Sequence, residues 1–354
     1  MRILAIDTSC DETAVAVTEG VRVLSNIIWS QASLHAKFGG IYPSLAKRAH
    51  EERIDWVINK AMTNAKRQMT NIDVIAVTVG PGLAIALEVG IKRAKELAKK
   101  FSKPLIPINH VEGHVLSVLA KPKNLRTDNQ QPTTHNLFPA LAFVASGGTT
   151  QLILVKEIGE YEIVSQTSDD ALGEALDKAT RMLGLGYPGG AIMEKVAREG
   201  NPNFYSLPIP MLGQENRFKF SYSGLKTAFY KLVEKEKPLT KEKIQNLAAT
   251  YQNVAFQHVE RMIKKTLENK VCEFWFGGGV SANLELRKRI RKICKNQIIM
   301  RLPYSKKLCT DNAAMIGVAA YFKYERGEFL SYRNLEKVER IPRAKIDQSF
   351  PWEK

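Results

Sequence analysis

Cysteine is scarce. The four in 354 residues, Cys10, Cys272, Cys294 and Cys309, form no CxxC pair and no framework spacing, so free thiols in a reducing compartment are expected rather than a disulfide scaffold. No apolar run approaches the roughly 18 residues that a membrane-spanning helix needs. The opening MRILAIDTSCDET meets acidic residues before any signal-type apolar core forms; a cytoplasmic protein with no membrane association is expected. Acidic residues are also outnumbered: 36 Asp+Glu stand against 52 Lys+Arg, a formal charge of +16. That excess favours a polyanionic partner such as nucleic acid. The GxxxxGK[ST] phosphate motif and the HExxH zinc-protease motif are absent as well.

What is present reads as two α/β halves. RILAID, TAVAVT and VRVLSNII are strands around polar turns. A helix is expected from about Ser44 to Ala65, then the strand DVIAVTVG, a GPGL turn, a helix from Leu83 to about Lys100, and the strand PLIPIN. Lys121 to Leu137 is polar, proline-bearing and aperiodic, the mark of a linker. Beyond it the pattern restarts with PALAFVAS, a GG turn, TTQLILVK and YEIVSQ. Mostly helical sequence then leads to CEFWFGGGVSAN. The halves look like a duplicated unit, although their letters are too different to establish a repeat.

Two of the six histidines, His110 and His114, sit in NHVEGH directly after a strand. At i and i+4 they share a helix face and can meet one metal ion; two partly exposed helix histidines are the plainer alternative. Glu112 lies about 200° round the helix from His110, away from that face, which argues against proteolysis. Asp311, at the start of an apolar helix in LCTDNAAMIG, is a candidate third ligand, unless it or Thr310 merely caps that helix. A pair of imidazoles and one carboxylate leave coordination positions open to a substrate. Four glycine turns, GPGL, SGGTT, GYPGG and GGGVSAN, suggest a nucleotide cradle in which backbone N–H groups approach phosphate. Asp170, Glu174 and Asp177 fall at i, i+4 and i+7, a solvated face or one that holds ribose or ammonium groups.

Taken together, IDTSCDETAVAV, HAKFGGIYPSLAKRAH, GPGLAIALEVG, NHVEGH, SGGTTQL, DDALGEALDKATRMLGLGYPGG, FSYSGLKTA, GGGVSAN and CTDNAAMIG resemble one family. It is the universal transferases that form threonylcarbamoyladenosine in tRNA, formerly called glycoproteases, and the Glu-Gly pair of NHVEGH and the FSYSGLKT stretch resemble its bacterial and organellar branch. The resemblance implies the two-domain actin, sugar-kinase and Hsp70-like α/β fold, with duplicated ribonuclease-H-like units and a nucleotide cleft between them. It implies a first subdomain over 1–121 with a helix at about 311–325 packing back on it. A linker over 122–137, a second subdomain over 138–310 with a helical insertion at about 170–265, and a basic tail over 326–354 complete the division.

The implied reaction moves threonylcarbamoyl from threonylcarbamoyl-AMP to N6 of the adenosine 3′ to the anticodon in tRNAs reading ANN codons. Carried over from the family, His110, His114 and Asp311 hold iron(II) or zinc. The nucleotide, threonylcarbamoyl-AMP or ATP/AMP, contacts Val144, Ala145, Ser146, Gly147, Gly148, Asp177, Gly190, Glu194 and Asn283. Asp11 and Glu12 are the candidates for orienting or deprotonating the attacking amine. The implied partners are tRNA, a smaller protein of the same fold and a P-loop ATPase. The chain departs from the family at Thr149, where SGGHT has histidine, at Ile85 after GPGL, at Glu194 in place of aspartate, and at Ala191 in place of proline. A nucleotide-binding regulatory ATPase of the same fold and a zinc protease are the competing readings.

Overall fold

The computed structural model describes residues 1–125, 137–268, 271–295 and 298–352. Its first unit runs β1 (Arg2–Asp7), β2 (Glu12–Glu19), β3 (Arg22–Ser30), α1 (Ala32–Ala36), α2 (Pro43–Ala65), β4 (Val74–Gly80), α3 (Ala84–Phe101), β5 (Leu105–Asn109), α4 (His110–Leu116) and β6 (Lys121–Pro122). The second runs β7 (Ala140–Ala145), β8 (Thr150–Glu157), β9 (Glu160–Thr167), α5 (Leu172–Met182), α6 (Gly189–Ala197), β10 (Lys219–Phe220), α7 (Ser223–Glu236), α8 (Lys241–Thr266), β11 (Glu273–Gly277), α9 (Leu284–Cys294), β12 (Ile299–Arg301) and α10 (Ala313–Glu325).

Pairing reveals the duplication that the letters conceal. The first sheet has the order β5-β4-β1-β2-β3-β6, and the second has β12-β11-β7-β8-β9-β10. In each, the first three strands form an antiparallel meander, and the next two full strands add in parallel beside the first. The central strands β1, β4 and β7 are apolar without alternation because both of their faces are covered.

Outer faces pack conventionally. Helices α2 and α3 close an apolar cluster on the first sheet, with Ile54, Val57 and Leu97 against Leu4, Ile6 and Val77. Helices α5 and α8 do the same for the second, with Leu176, Phe256 and Val259 against Phe143 and Phe276. The inner faces share a central cluster to which α4 gives Val111 and Val115 and α10 gives Met315 and Ile316. Each unit's last helix crosses to the other unit: α10 packs on β1 and β2, and α4 packs on β7 and β11 as well as on α10. From Ala313 to Ala320 helix α10 is apolar on every side, as a stretch of helix buried all round must be.

Most of the linker expected at 122–137, residues 126–136, lies outside the described residues. Its first residues are not loop: Lys121 and Pro122 form β6 beside β3. Residues after α10 run along the first sheet, where Leu330 exchanges backbone hydrogen bonds with Leu105 and Ile341 N donates to Val79 O. Leu335, Val338 and Phe350 are buried there. Among the described residues no helix is long and apolar enough to cross a membrane.

Candidate metal centre

Helix α4 starts directly at the end of β5 because Asn109 caps it, its side chain accepting from Val111 N and Glu112 N at 2.9 and 3.3 Å. The cap fixes His110 and His114 one turn apart, with ring centroids 4.7 Å from each other. Asp311 precedes the other crossing helix, α10. Its Oδ1 lies 3.1 Å from His114 Nε2 and 3.4 Å from His110 Nε2. Asp311 does not cap α10, and neither does Thr310: Asn312 accepts from Met315 N at 3.1 Å. The aspartate is thereby left for the histidines. One ligand atom from each of the three residues falls within 4.8 Å of the others.

The donor set fits a divalent ion of the iron or zinc kind, two imidazole nitrogens and one carboxylate oxygen. Buried polar atoms show the same bias, for Nδ1 of His110 and of His114 and Oδ2 of Asp7 lack hydrogen-bond partners. Asp7, almost fully buried at the end of β1, was not singled out by sequence, since an acid ending a strand also reads as a turn former. Its Oδ2 stands 3.5 Å from His110 Nδ1, the place of a carboxylate that orients a ligating imidazole. Burial disfavours charge on His110, but Asp311 and Asp7 outweigh it and raise its pKa well above the ordinary value. His114 is lowered, mainly by burial. Burial opposes the Asp311 anion too, yet the two histidines hold its pKa far below the usual carboxylate range.

Glu112 is buried with its carboxylate turned to the other lobe, accepting from Tyr161 Oη at 3.0 Å with Arg326 at 4.0 Å. It links lobes and does not face the metal ligands. Asp11 and Glu12 do lie beside the centre. Burial raises both, Glu12 well above its ordinary value, with the neighbouring Asp11 and Asp311 charges adding to the effect. The two neighbouring carboxyls act on one another, so they titrate as a pair. Their turn is clamped by His50, a residue that sequence reasoning passed over. Its Nε2 donates to Cys10 O at 3.1 Å, which leaves Nδ1 to accept from Thr13 Oγ1 at 2.8 Å.

The expected nucleotide contacts divide into two kinds. Val144 and Ala145 end β7, and Ser146, the next residue, donates its N–H to Thr149 O at 2.8 Å to close the turn. Gly147 and Gly148 at its tip border open space. Gly278 lies against this turn at φ +84°, where a Cβ would meet Ala145 O at 2.4 Å. The other positions are held by protein. Asp177 Oδ1 accepts from Gly189 N and Gly190 N at 2.7 and 2.9 Å, pinning the start of α6. Glu194 accepts from Arg198 at 2.7 Å and from Leu284 N at 2.9 Å, joining α6 to α9. Asn283 caps α9 through Leu286 N at 3.0 Å and donates to Gln252 at 3.1 Å. Asp170 precedes α5 rather than sharing its face, and it takes Lys178 and Lys226 at 2.5 and 2.7 Å.

The family model described as tRNA N6-adenosine threonylcarbamoyltransferase matches residues 22–318. A protein of that name from Caldicellulosiruptor bescii is 41% identical over 336 residues, 94% of this chain and 96% of its own. One from Thermodesulfovibrio yellowstonii is 42% identical over 333 residues, 93% of this chain and 96% of its own. Among solved structures, HypF of T. kodakarensis superposes with a TM-score of 0.56 at 13% identity, covering 92% of this chain and 48% of that one. At that identity the likeness concerns the fold.

Proposed function

The chain belongs to the tRNA N6-adenosine threonylcarbamoyltransferase family, and from that premise we propose that His110, His114 and Asp311 hold the metal of the reaction while Asp11 and Glu12 handle its proton. The protein is a transferase that forms threonylcarbamoyladenosine in tRNA, so an amine must attack an activated acyl carbon. In this reading the donor is threonylcarbamoyl-AMP: the N6–C bond forms, the C–O bond to AMP breaks, and N6 gives up a proton.

The observation that carries the reading is the convergence of the His110, His114 and Asp311 ligand atoms within 4.8 Å beside a carboxyl pair with raised pKa values. A bound iron(II) or zinc ion would supply Lewis acidity at an acyl or phosphoryl oxygen. Asp7 holds His110 in orientation. The Asp11–Glu12 pair, retaining one proton more readily than separate carboxyls would, accepts the proton from N6 near neutral pH. The β7 turn offers the backbone of Gly147 and Gly148 to the AMP phosphate, while Asp177, Glu194 and Asn283 hold the helix starts that wall the cleft. A smaller protein of the same fold and a P-loop ATPase belong to the same reading through the family resemblance.

The test reconstitutes the reaction with these partners, threonylcarbamoyl-AMP and unmodified tRNA, and counts the modified nucleoside by mass spectrometry. Chelator-stripped enzyme should regain activity with iron(II) or zinc, and His110→Ala or Asp311→Asn should lower the rate about a hundredfold or more. Full activity in a metal-free His110→Ala, His114→Ala double variant would overturn the proposal.

A further inference from the structure

The segment KFGGIY, residues 37–42, joins α1 to α2 and exposes two aromatic rings. Phe38 and Tyr42 are each 52% exposed and stacked on one another, with centroids 5.3 Å apart and planes 23° from parallel. The Lys37 ammonium stands 5.4 Å from the Phe38 ring centre. At the tip, a Cβ on Gly39 would come within 3.6 Å of Arg181 Nη1. Arg181 belongs to α5 of the second unit, so the loop reaches over to the opposite lobe. Its guanidinium is exposed and forms no ion pair among the described residues.

This loop is tied to the reacting centre. Tyr42 N donates to His35 Nδ1 at 3.3 Å, His35 Nε2 donates to Gln31 Oε1 at 3.0 Å, and Gln31 N donates to Asp11 O at 2.9 Å. Three hydrogen bonds thus run from the backbone of Tyr42 to the backbone of Asp11.

We propose that Phe38 and Tyr42, with Lys37 and Arg181, form a stacking platform for an unpaired base of the tRNA loop that carries the target adenosine. The proposal rests on the tRNA reading above and adds to it a place on the surface. Exposed π-faces accept any base, and cations at their rim attract the phosphates that bases bring with them. Charge settles the occupant: the exposed Lys37 and Arg181 flank the loop, and the chain as a whole carries +16. Reading an RNA base splayed out of a loop by aromatic stacking is also how single-stranded RNA is held in general.

The experiment titrates the protein with an unmodified anticodon stem-loop RNA carrying 2-aminopurine at one loop position at a time. Wild type should bind and quench the fluorophore at one position. A Phe38→Ala, Tyr42→Ala double variant should bind about five- to 150-fold more weakly, the span of one lost stacking contact, and lose that quenching. Phe38→Tyr, Tyr42→Phe should restore both. Arg181→Gln should reduce the slope of log affinity against log salt by about 1. Metal content should be unchanged throughout, because none of these side chains touches His110, His114 or Asp311. If wild type binds and the double-alanine variant binds and quenches equally, the platform is refuted and the tRNA reading survives. If wild type binds no stem-loop and modifies no tRNA, both fall.

Discussion

Gly277 ends β11 where the second sheet meets the metal helix, and replacing it with alanine tests how tightly that helix is held. A Cβ there would lie 2.4 Å from the backbone carbonyl oxygen of His114. Carbon–oxygen contacts settle at roughly 3.3–3.6 Å, so α4 must retreat by about 1 Å. Room on the α10 side is small, for even a Cβ built on Gly113 would be 2.9 Å from Ile316 Cδ1. The displacement therefore reaches the imidazoles, whereas metal–ligand distances tolerate only about 0.2 Å. Overpacking of this kind costs about 1–3 kcal/mol, a fall in Tm of a few degrees for a chain of this size. Metal affinity should fall at least about tenfold, and tRNA modification about a hundredfold. Calorimetry, metal titration against a competing chelator and the nucleoside assay would read the three effects. Gly279→Ala is the control, since a Cβ there meets open space; Tm and metal affinity should not move. Wild-type metal affinity in Gly277→Ala, or equal damage in both variants, would refute the reasoning.

Asp7→Asn keeps the bond to Ser9 N but removes the charge facing His110, and chelator competition should show metal affinity lower by about 10- to 100-fold. Unchanged affinity would show that Asp7 does not orient the ligand. His258 supplies a pH dependence remote from the metal: buried beneath Phe220 and Tyr222 and accepting from Ser221 N, it has its pKa lowered to about 4 by burial. The unfolded chain takes up the proton near pH 6.5 and the folded one refuses it until about pH 4, so this contribution is complete above pH 6.5 and lost as pH falls to 4. The span corresponds to about 3 kcal/mol. Urea unfolding across that window should show a flatter curve for His258→Gln than for wild type, and parallel curves would sink the assignment.

Features set by near neighbours in the chain were legible in the sequence. The shared face of His110 and His114 and the turn of Glu112 away from it follow from helix geometry, and the apolar runs of β1, β4 and β7 follow from burial on both faces. Features set by strand order were not. Asp7 becomes a partner of His110 only because β4 alone separates β1 from β5 in the sheet. Thr310, Asp311 and Asn312 are all competent helix caps, and letters cannot rank them; the fold uses Asn312. Likewise DDALGEALDKAT reads as an acidic helix face, yet Asp170 lies outside the helix and Asp177 is taken up by the amides of Gly189 and Gly190. The partner of a buried polar group is a tertiary fact, and sequence periodicity does not carry it.

The exchange of last helices also governs what a fragment of this protein could do. Cut between β6 and β7, the chain would yield a front half without the apolar α10 that covers β1 and β2, and a back half without the α4 that lies on β7 and β11. Each piece would expose part of the central cluster to water, and each would carry an incomplete set of the candidate metal ligands, the histidines on one and the aspartate on the other. Each half would keep the apolar cluster on its own outer face but lack a complete inner one. The candidate metal centre and the central apolar cluster are therefore completed by the same contact between the halves, and an ion bound there would stabilise both lobes at once.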